Sequence, residues 1–536
     1  MLTIKNFIST FWQDTKTFFK KLSFPHDEKR EVVFLSAVTL VALVYRLHAI
    51  QQPITYDEAY NYLAFIRRPL IETMIDYHLP NNHIFLSLIL NLTIRVFGDA
   101  EWIIRMPPVI FGTLMIPATY GFGKRFYGKN TGLLASVGVA IFPELVHYSS
   151  IFRGYILVAL FTLLAFNLAD DLRREKNRFG WGVLVLILTL GLYTVPTMLF
   201  PFAILYVWFL GVIVSKDFGE SYGAQPNSEH KFARRVSFRR SNPKEDETAS
   251  SQKHVPRGFI FNLSQWGLLR YTIISGALTG ISTVILYAPI LILSPDDLFN
   301  HRWIVKVPLD LLASQMWGKV MINWDAWFHD VPPILIGLGV SGVVLSLLAH
   351  RKLGKHQLPL HFAFALGIVA VLLVQRPNNP WARVWLFSIP FFMIWAAAGI
   401  IEWFKDRRIQ NAILLLALVG SVWGAWQYVQ TPFEPSKEKL VADLIAPRLQ
   451  SGDMILVEGD FAAPIEYYLL RAGQPRDYFQ RNENFTRAFL IVITKGGYTY
   501  EDFVEKYAKK FPLDLSTITL IESYGNYSVY EIAPLP

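Results

Sequence analysis

The chain has 536 residues, of which 52% are hydrophobic and only 17% are charged, whereas an average soluble domain carries about 25% charged residues. Because the apolar residues are grouped into long runs, the composition excludes a disordered, collagen-like or ordinary cytosolic protein. The absence of cysteine excludes disulfides, a thiolate metal site and a cysteine nucleophile. The meaning of the formal charge of +9 depends on where the basic residues lie relative to the apolar runs.

The apolar runs predict a polytopic α-helical membrane protein, since a helix that crosses a bilayer needs about 20 mostly apolar residues. We predict about eleven spans within a membrane domain over residues 31–430. Their approximate ranges are 31–50, 102–122, 132–148, 154–168, 181–196, 201–214, 268–293, 331–348, 360–374, 384–403 and 412–428. Residues 1–30 lack a signal-peptide cleavage site and are predicted to be a cytoplasmic tail ahead of a retained anchor.

Basic residues in short loops orient a membrane protein with those loops in the cytoplasm. They cluster at 124–129, 173–178, 351–355 and 405–408 as well as in the tail, and all clusters fall on one side if the eleven spans cross. Residues 79–97 look like a twelfth span, but a crossing there would reverse the later loops. We therefore predict an outer juxtamembrane helix in the interface. The positive charge is mainly an orientation signal, and no nucleic-acid partner is expected.

Two segments have the composition of water-exposed chain. Residues 216–264 are rich in charged residues, Ser, Asn and Pro, which predicts a disordered cytoplasmic loop. Residues 431–536 contain apolar runs at 454–457 and 489–494, which predict buried strands, and a helical pattern at 500–511. This alternation predicts a small soluble α/β domain on the outer side of the membrane.

The first outer loop, residues 51–101, opens with the sequence Thr-Tyr-Asp-Glu-Ala-Tyr at 55–60. Adjacent residues on a helix point about 100° apart, so Asp57 and Glu58 cannot both serve one reacting atom. One carboxylate could face a cavity as a general base while the other binds the scaffold. The alternative is a plain helix N-terminus, with Thr55 as the cap and both carboxylates in the first turn.

Two histidines, His78 and His83, flank Pro80 in the same loop. A proline between them and a separation that does not share a helix face make a shared metal the minority interpretation. Hydrogen bonding to a polar head group or sugar is an alternative, as is helix capping by Asn81 or Asn82.

The sequence predicts five arginines on the outer side, Arg105, Arg153, Arg302, Arg376 and Arg383. The planar guanidinium group suits phosphate. Each arginine alone could simply reach lipid phosphates from the interface. Together with the outer carboxylates, they indicate a cavity for a lipid-linked phosphate, in which cations hold the phosphate and a carboxylate takes a proton.

In this order the motifs resemble the GT-C membrane glycosyltransferases, in the branch of the protein O-mannosyltransferases and the bacterial aminoarabinose transferase of lipid A. The Asp-Glu motif of that branch is similar to residues 56–60, and its His-Pro-Pro-Leu segment is similar to residues 82–85. Its arginine-proline signature is similar to 105–112, its Tyr-Ser-x-x-Ala-Arg-x-Tyr segment to 148–155, and its late arginine segment to 381–390.

The resemblance implies a GT-C fold, a sugar donor carried on polyprenyl phosphate, an active site on the outer face and transfer with inversion. It implies Asp57 as general base, with Glu58 as a second catalytic carboxylate. The substrate-binding residues that it implies are Tyr60, His83, Arg105, Arg153 and Tyr155, with Arg376 and Arg383 as candidates for the donor phosphate. No cofactor is required, and a divalent metal is the minority alternative. The lysine of the aminoarabinose transferase is absent near Asn81, which argues against a lipid A acceptor.

The expected function is thus that of a glycosyltransferase in a bacterial inner membrane, with the N-terminus in the cytoplasm and the C-terminus in the periplasm. Its expected partners are the lipid-linked donor, an acceptor lipid, glycan or protein, and membrane lipids. Three alternatives stay open. A flippase of lipid-linked sugars would show inverted repeats and charges near mid-membrane. A polysaccharide polymerase or ligase would use the same kind of donor. A membrane scaffold would not require Asp57 for its function.

Overall fold

The computed structural model describes residues 2–22, 29–214, 263–299, 306–350, 359–377, 381–479, 485–494 and 499–535. The loop that we predict to be disordered, 216–264, lies outside these residues except where a helix begins at its end, and Arg302 lies outside them as well.

The described chain is mainly helical, as predicted. The helices up to residue 214 are Leu2–Leu22, Lys29–Ala49, Tyr56–Asn61, Leu70–Ile75, Ile84–Phe97, Glu101–Phe126, Lys129–Ile141, Pro143–Tyr148, Tyr155–Leu172, Arg178–Thr194 and Leu199–Val214. The later helices are Leu263–Leu293, Pro295–Phe299, Leu309–Phe328, Pro333–Leu348, Leu360–Gln375, Ile389–Trp403, Arg407–Val429, Lys437–Ile445, Gly459–Arg471 and Tyr500–Ala508. A π-helical turn covers Tyr62–Ile66, and short 3₁₀ turns cover Pro196–Met198, Ala382–Ser388, Ala446–Arg448 and Arg476–Phe479.

Seven helical stretches of the described chain are long and apolar enough to cross a membrane. They are Lys29–Ala49, Glu101–Phe126, Tyr155–Leu172, Pro196–Val214, Gln265–Leu293, Ala382–Trp403 and Arg407–Val429. The spans predicted at 181–196, 331–348 and 360–374 coincide with shorter apolar helices, and so does the interfacial helix predicted at 79–97. The helical membrane fold is therefore confirmed, while the number of eleven crossings stays a prediction.

One of the predicted spans is interrupted at Pro143, which has no N–H to continue a helix. Helix Lys129–Ile141 ends before this residue, and helix Pro143–Tyr148 begins with it. The fully buried Arg46 lies at the break, where its Nη1 donates to the carbonyl oxygen of Ala140 at 3.0 Å. A guanidinium group there satisfies a carbonyl freed by the break and opposes the negative end of the helix dipole.

Small residues allow two of the apolar helices to approach closely. Helices Pro333–Leu348 and Ile389–Trp403 meet at Gly342 and Gly399, where a Cβ atom on Gly399 would lie 1.9 Å from the carbonyl oxygen of Gly342. Such contacts between glycines are a common way to pack helices in a membrane. Aromatic side chains fill the centre of the membrane domain, among them Phe122, Phe166, Trp208 and Phe391.

The predicted cytoplasmic tail contains the helix Leu2–Leu22. The rings of Phe11 and Phe18 pack edge-on against Phe179, with centroids 5.5 and 5.2 Å apart. Asp14 Oδ2 accepts a hydrogen bond from the backbone N–H of Arg178 at 2.9 Å. The tail helix is therefore docked on the beginning of helix Arg178–Thr194.

The C-terminal residues form a sheet domain, as predicted. Its strands are β1 (Asp453–Leu456), β2 (Arg487–Ile493), β3 (Leu513–Tyr524) and β4 (Tyr527–Pro534). They lie in the order β1-β2-β4-β3, with β1 parallel to β2 and the other two pairs antiparallel. The two buried strands of the prediction are β1 and β2, and the predicted helix at 500–511 is Tyr500–Ala508.

The sheet domain is attached to the first outer loop by an aromatic and ionic contact. Tyr467 packs edge-on against Tyr62, with ring centroids 5.2 Å apart. The guanidinium of Arg471 lies 4.9 Å from the centroid of the Tyr62 ring and 3.2 Å from the carboxylate of Asp99. Asp99 also accepts a hydrogen bond from the Tyr62 hydroxyl at 2.7 Å. We call this group the Tyr62–Arg471 contact.

Candidate active site

The two adjacent carboxylates of the first outer loop lie on the short helix Tyr56–Asn61, which begins with a capping box. The Thr55 hydroxyl accepts a hydrogen bond from the Glu58 N–H at 3.3 Å, and Glu58 Oε2 accepts from the Thr55 N–H at 3.0 Å. This pair satisfies two N–H groups that a helix start would leave open. The cap fixes the direction of the helix and thereby separates the two carboxylates.

Glu58 points into the protein and forms a fully buried ion pair with Arg105. Its two oxygens lie 3.1 Å from Nε and 3.0 Å from Nη2 of Arg105, and Oε1 also accepts from the backbone N–H of Phe152 at 3.3 Å. Nη1 of Arg105 donates to the carbonyl oxygens of Ile50 and Gln52, each at 2.7 Å. Glu58 and Arg105 therefore hold the end of the first span, the first loop and the later segment 148–155 together.

The side chain of Asp57 points away from that of Glu58 and forms ion pairs with two arginines. Its Oδ2 lies 3.3 Å from Nη2 of Arg153 and 3.1 Å from Nη1 of Arg383. Arg153 is almost completely buried, whereas 28% of the Asp57 side chain is exposed. The structure thus brings together three of the predicted site residues, which come from three distant parts of the chain.

Asn81, which the sequence suggested only as a helix cap, connects two members of this group. Its Nδ2 donates to the carbonyl oxygen of Asp57 at 3.2 Å, and its own carbonyl and side-chain oxygens accept from Nη1 of Arg153. The signal for such a role is weak in the sequence, because an asparagine after Pro80 fits a turn equally well.

His83 is buried beside the two arginines. Its Nδ1 accepts a hydrogen bond from the backbone N–H of Gly154 at 2.6 Å, so in the neutral ring the proton is on Nε2. Burial, followed by the charges of Arg153 and Arg383, lowers the pKa of His83 well below its usual value. The ring packs edge-on against Tyr155, with centroids 4.8 Å apart.

Three buried N–H groups of this cluster have no hydrogen-bond partner within the described part of the chain. They are Nε2 of His83, Nε of Arg153 and Nε of Arg383. A buried donor without a partner is costly. Two guanidinium groups and a neutral imidazole N–H around one carboxylate form a site that suits an additional anion. We call His83, Arg153 and Arg383 the donor cluster, after their unpartnered hydrogen-bond donors.

The remaining predicted site residues lie around this centre. Tyr155 packs on His83, and the guanidinium of Arg153 lies 5.8 Å from the centroid of its ring. Arg376 is a left-handed C-cap, with φ 46°, at the end of helix Leu360–Gln375, and no side-chain hydrogen bond or ion pair joins it to the donor cluster in the described residues.

Tyr60 contacts a different group, at the other end of the Tyr56–Asn61 helix. Its hydroxyl lies 2.8 Å from Nε2 of His78, and Nδ1 of His78 pairs with the carboxylate of Asp76. Nη1 of Arg68 lies 3.2 Å from the same carboxylate. His78 therefore links the Tyr60 hydroxyl to the Asp76 carboxylate.

Among the residues that the structure describes, no set of side chains could serve as ligands for the metal ion of the alternative interpretation. No group of three or more His, Asp or Glu side chains lies close enough together to hold an ion there. The nearest charged neighbours of Asp57 are cations, and Glu58 is turned away toward Arg105.

Comparison with known proteins gives a family match and several similar structures. Residues 81–219 match the model of the dolichyl-phosphate-mannose-protein mannosyltransferase family. The structure of ArnT from Cupriavidus metallidurans in the apo state is similar with a TM-score of 0.55 and 12% identity, over 93% of this chain and 97% of ArnT.

Two further solved structures have lower TM-scores. ArnT from Cupriavidus metallidurans bound to undecaprenyl phosphate has a TM-score of 0.44 and 13% identity, over 93% of this chain and 97% of ArnT. The Archaeoglobus fulgidus oligosaccharyltransferase tethered with an acceptor peptide has a TM-score of 0.48 and 12% identity, over 86% of this chain and 69% of its own. No curated protein sequence matches.

Proposed function

As the sequence predicted, the chain has a GT-C membrane glycosyltransferase fold and resembles the protein O-mannosyltransferases over residues 81–219, and from this premise we propose its reaction. The protein transfers a monosaccharide from a polyprenyl-phosphate donor to an acceptor hydroxyl, with inversion at the anomeric carbon and with Asp57 as general base. The observation that carries the proposal is the position of Asp57 between Arg153 and Arg383, at 3.3 and 3.1 Å.

The donor phosphate binds to the donor cluster. The three unpartnered N–H groups of His83, Arg153 and Arg383 supply hydrogen bonds, and the two guanidinium groups supply positive charge. His83 stays neutral because of its lowered pKa, so it contributes a hydrogen bond without further charge. A phosphate bound there competes with Asp57 for the two cations, which frees the carboxylate to accept a proton when the donor is present.

In the transfer step, the acceptor oxygen attacks the anomeric carbon on the face opposite the phosphate. Its proton passes to the Asp57 carboxylate, the new carbon–oxygen bond forms, and the bond from the anomeric carbon to the phosphate oxygen breaks. The electron pair leaves with polyprenyl phosphate, whose charge Arg153 and Arg383 stabilise. Carboxylate base catalysis of this kind contributes about 10²–10⁴-fold in rate.

Glu58 and Arg105 have positioning roles in this proposal. Both side chains are fully buried and bonded to each other, so Glu58 is not available to a substrate. They fix the helix that carries Asp57 relative to the segment that carries Arg153. This differs from the sequence-based expectation of a second catalytic carboxylate and a substrate-binding arginine.

The orientation is part of the proposal. The active site lies on the outer face of a bacterial inner membrane, with the N-terminus in the cytoplasm and the sheet domain in the periplasm. The arrangement of basic loops supports it. Reporter fusions at Arg125 and at the C-terminus test it: a fusion at Arg125 is expected to report a cytoplasmic position and one at the C-terminus a periplasmic position.

The reaction is tested with membranes that contain the protein, incubated with a panel of radiolabelled polyprenyl-phosphate sugars. We expect label to move from one of these donors to an endogenous acceptor. Asp57→Asn is expected to reduce the transfer by about 10²–10⁴-fold. Asp443→Asn, at an exposed pair with Lys439 in the sheet domain, is the matched control and is expected to leave transfer unchanged.

Full transfer activity of purified Asp57→Asn would exclude the proposed role of Asp57. Movement of the labelled lipid across the membrane without transfer, equal in Asp57→Asn and in the unaltered protein, would favour a flippase.

A further inference from the structure

The surface along one side of the Tyr56–Asn61 helix combines aromatic rings with polar side chains. Tyr56 and Tyr60 are four residues apart and therefore lie on one face of the helix, with ring centroids 6.1 Å apart and planes inclined by 32°. Tyr56 is 38% exposed, and His78 adds a ring 6.2 Å from that of Tyr60. These rings form an aromatic surface next to Asp57, since Tyr56 precedes Asp57 directly and Tyr60 follows it by about one helical turn.

The chain of hydrogen bonds behind this surface fixes the direction of the Tyr60 hydroxyl. In the neutral ring of His78, a proton on Nδ1 faces the Asp76 carboxylate, and Nε2 then accepts from the Tyr60 hydroxyl. Burial and the charge of Asp76 raise the pKa of Tyr60, which keeps it a neutral phenol. With its proton directed to His78, the Tyr60 oxygen presents lone pairs that accept a hydrogen bond from a ligand hydroxyl.

The charges at this surface differ from those of the donor cluster. The cation Arg68 lies 3.2 Å from Asp76 and 3.9 Å from Glu72, so two carboxylates face one guanidinium group. A site of this composition does not favour a phosphorylated or otherwise anionic ligand. The donor cluster and the neighbouring Asp57 have the opposite balance, with two arginines and one carboxylate.

We infer that Tyr56, Tyr60, Arg68, Asp76 and His78 form the acceptor subsite and that the acceptor is an uncharged sugar. The apolar face of a pyranose packs on aromatic rings, and its hydroxyls both donate and accept, as this group requires. A peptide acceptor would instead use a strand edge or a groove for its side chains. The inference deepens the proposed function and rests on it for the identity of the acceptor, but sugar binding is measurable without transfer.

The test uses the full-length protein in lipid nanodiscs and saturation-transfer NMR. The probes are methyl α-mannoside, methyl β-glucoside, the methyl glycoside of N-acetylglucosamine, glucose 1-phosphate and a blocked serine/threonine peptide. We expect saturable binding of a neutral glycoside. Tyr56→Ala and Tyr60→Phe are expected to weaken it by roughly three- to tenfold. Tyr500→Phe, which alters a partly buried tyrosine packed on Tyr530 in the sheet domain, is the matched control and is expected to leave binding unchanged.

The inference is overturned if no neutral glycoside binds, if the peptide or the sugar phosphate binds in its place, or if glycoside binding survives both tyrosine variants. Asp57→Asn separates this result from the test of the reaction, since it is expected to reduce transfer by about 10²–10⁴-fold while glycoside binding stays measurable. Loss of transfer in Asp57→Asn together with absent glycoside binding would contradict the sugar acceptor and leave the proposed reaction standing.

Discussion

The guanidinium group of Arg383 lies 3.1 Å from the carboxylate of Asp57, although 326 positions separate the two residues in the chain. Arg153 reaches the same carboxylate oxygen from a third part of the sequence. A late segment of the membrane domain and the first outer loop thus meet at one atom. This geometry makes Arg383 the most direct test of the donor cluster.

Arg383→Gln is expected to lower kcat/KM for transfer by about 10²-fold, because it removes a cation aimed at the leaving phosphate. Arg383→Lys is expected to recover only part of this loss, since an ammonium group lacks the planar fork. The measurement is label transfer from the active polyprenyl-phosphate donor, with the exposed Arg408→Gln as control. Arg376→Gln is expected to have a smaller effect than Arg383→Gln, and an equal loss in both variants would contradict the geometry.

Arg105→Met is expected to destabilise the protein by about 3–5 kcal/mol, because it leaves the buried Glu58 carboxylate without its partner. Glu58→Gln is expected to cost less, because Arg105 keeps its ion pair with Glu101 at 3.1 Å. The double variant is expected to be more stable than the less stable single variant, since both charges are then absent. Thermal unfolding of the purified proteins measures this. If Glu58→Gln kept full stability and lost transfer, the carboxylate would act in catalysis, as the resemblance implied.

His83 predicts a pH dependence of stability. Its pKa in the folded protein lies well below the usual 6.5, so below that pH the unfolded chain binds a proton that the folded chain does not. The stabilisation is therefore present above about pH 6.5 and is lost as the pH falls, with a slope of at most about 1.4 kcal/mol per pH unit.

The unfolding midpoint measured from pH 7.5 to 5 is expected to fall less steeply in His83→Asn than in the unaltered protein. His329→Asn, at a mostly exposed histidine, serves as the control and is expected to keep the original slope. Equal slopes in the His83 variant and the unaltered protein would show that folding does not lower the pKa of this imidazole.

The Tyr62–Arg471 contact predicts that the sheet domain stabilises the first outer loop. Arg471→Met removes the ion pair with Asp99 and the cation–π contact with Tyr62, and we expect a loss of about 1–2 kcal/mol. A double-mutant cycle with Asp99→Asn is expected to show coupling, measured by thermal unfolding. Arg476→Met, at a more exposed arginine that pairs with Glu466, is the control, and independent effects of the Arg471 and Asp99 variants would contradict the contact.

The sequence predicted those features that depend on local pattern. Apolar runs of sufficient length predicted the helices, and alternating strands and helices predicted the sheet domain. The angle between adjacent helical residues predicted that Asp57 and Glu58 would point in different directions. Which of them points into the protein depends on Arg105, 47 positions from Glu58, and no local pattern contains that information.

Residues whose partners are backbone groups were harder to predict. Asn81 owes its position to a carbonyl of Asp57 and to Arg153, and Arg46 owes its position to a carbonyl freed by Pro143. A carbonyl has no residue type of its own, so such contacts leave no motif in the sequence.

Residues 76–83 bond to both halves of the candidate site. Asp76 and His78 hold Tyr60 at the inferred acceptor surface, and a few positions later Asn81 holds Arg153 in the donor cluster. A ligand that displaces this segment at one subsite therefore also changes the position of side chains at the other subsite. Occupancy of the two subsites would then be thermodynamically linked: whatever factor the lipid donor adds to the affinity for the acceptor, the acceptor adds to the affinity for the donor.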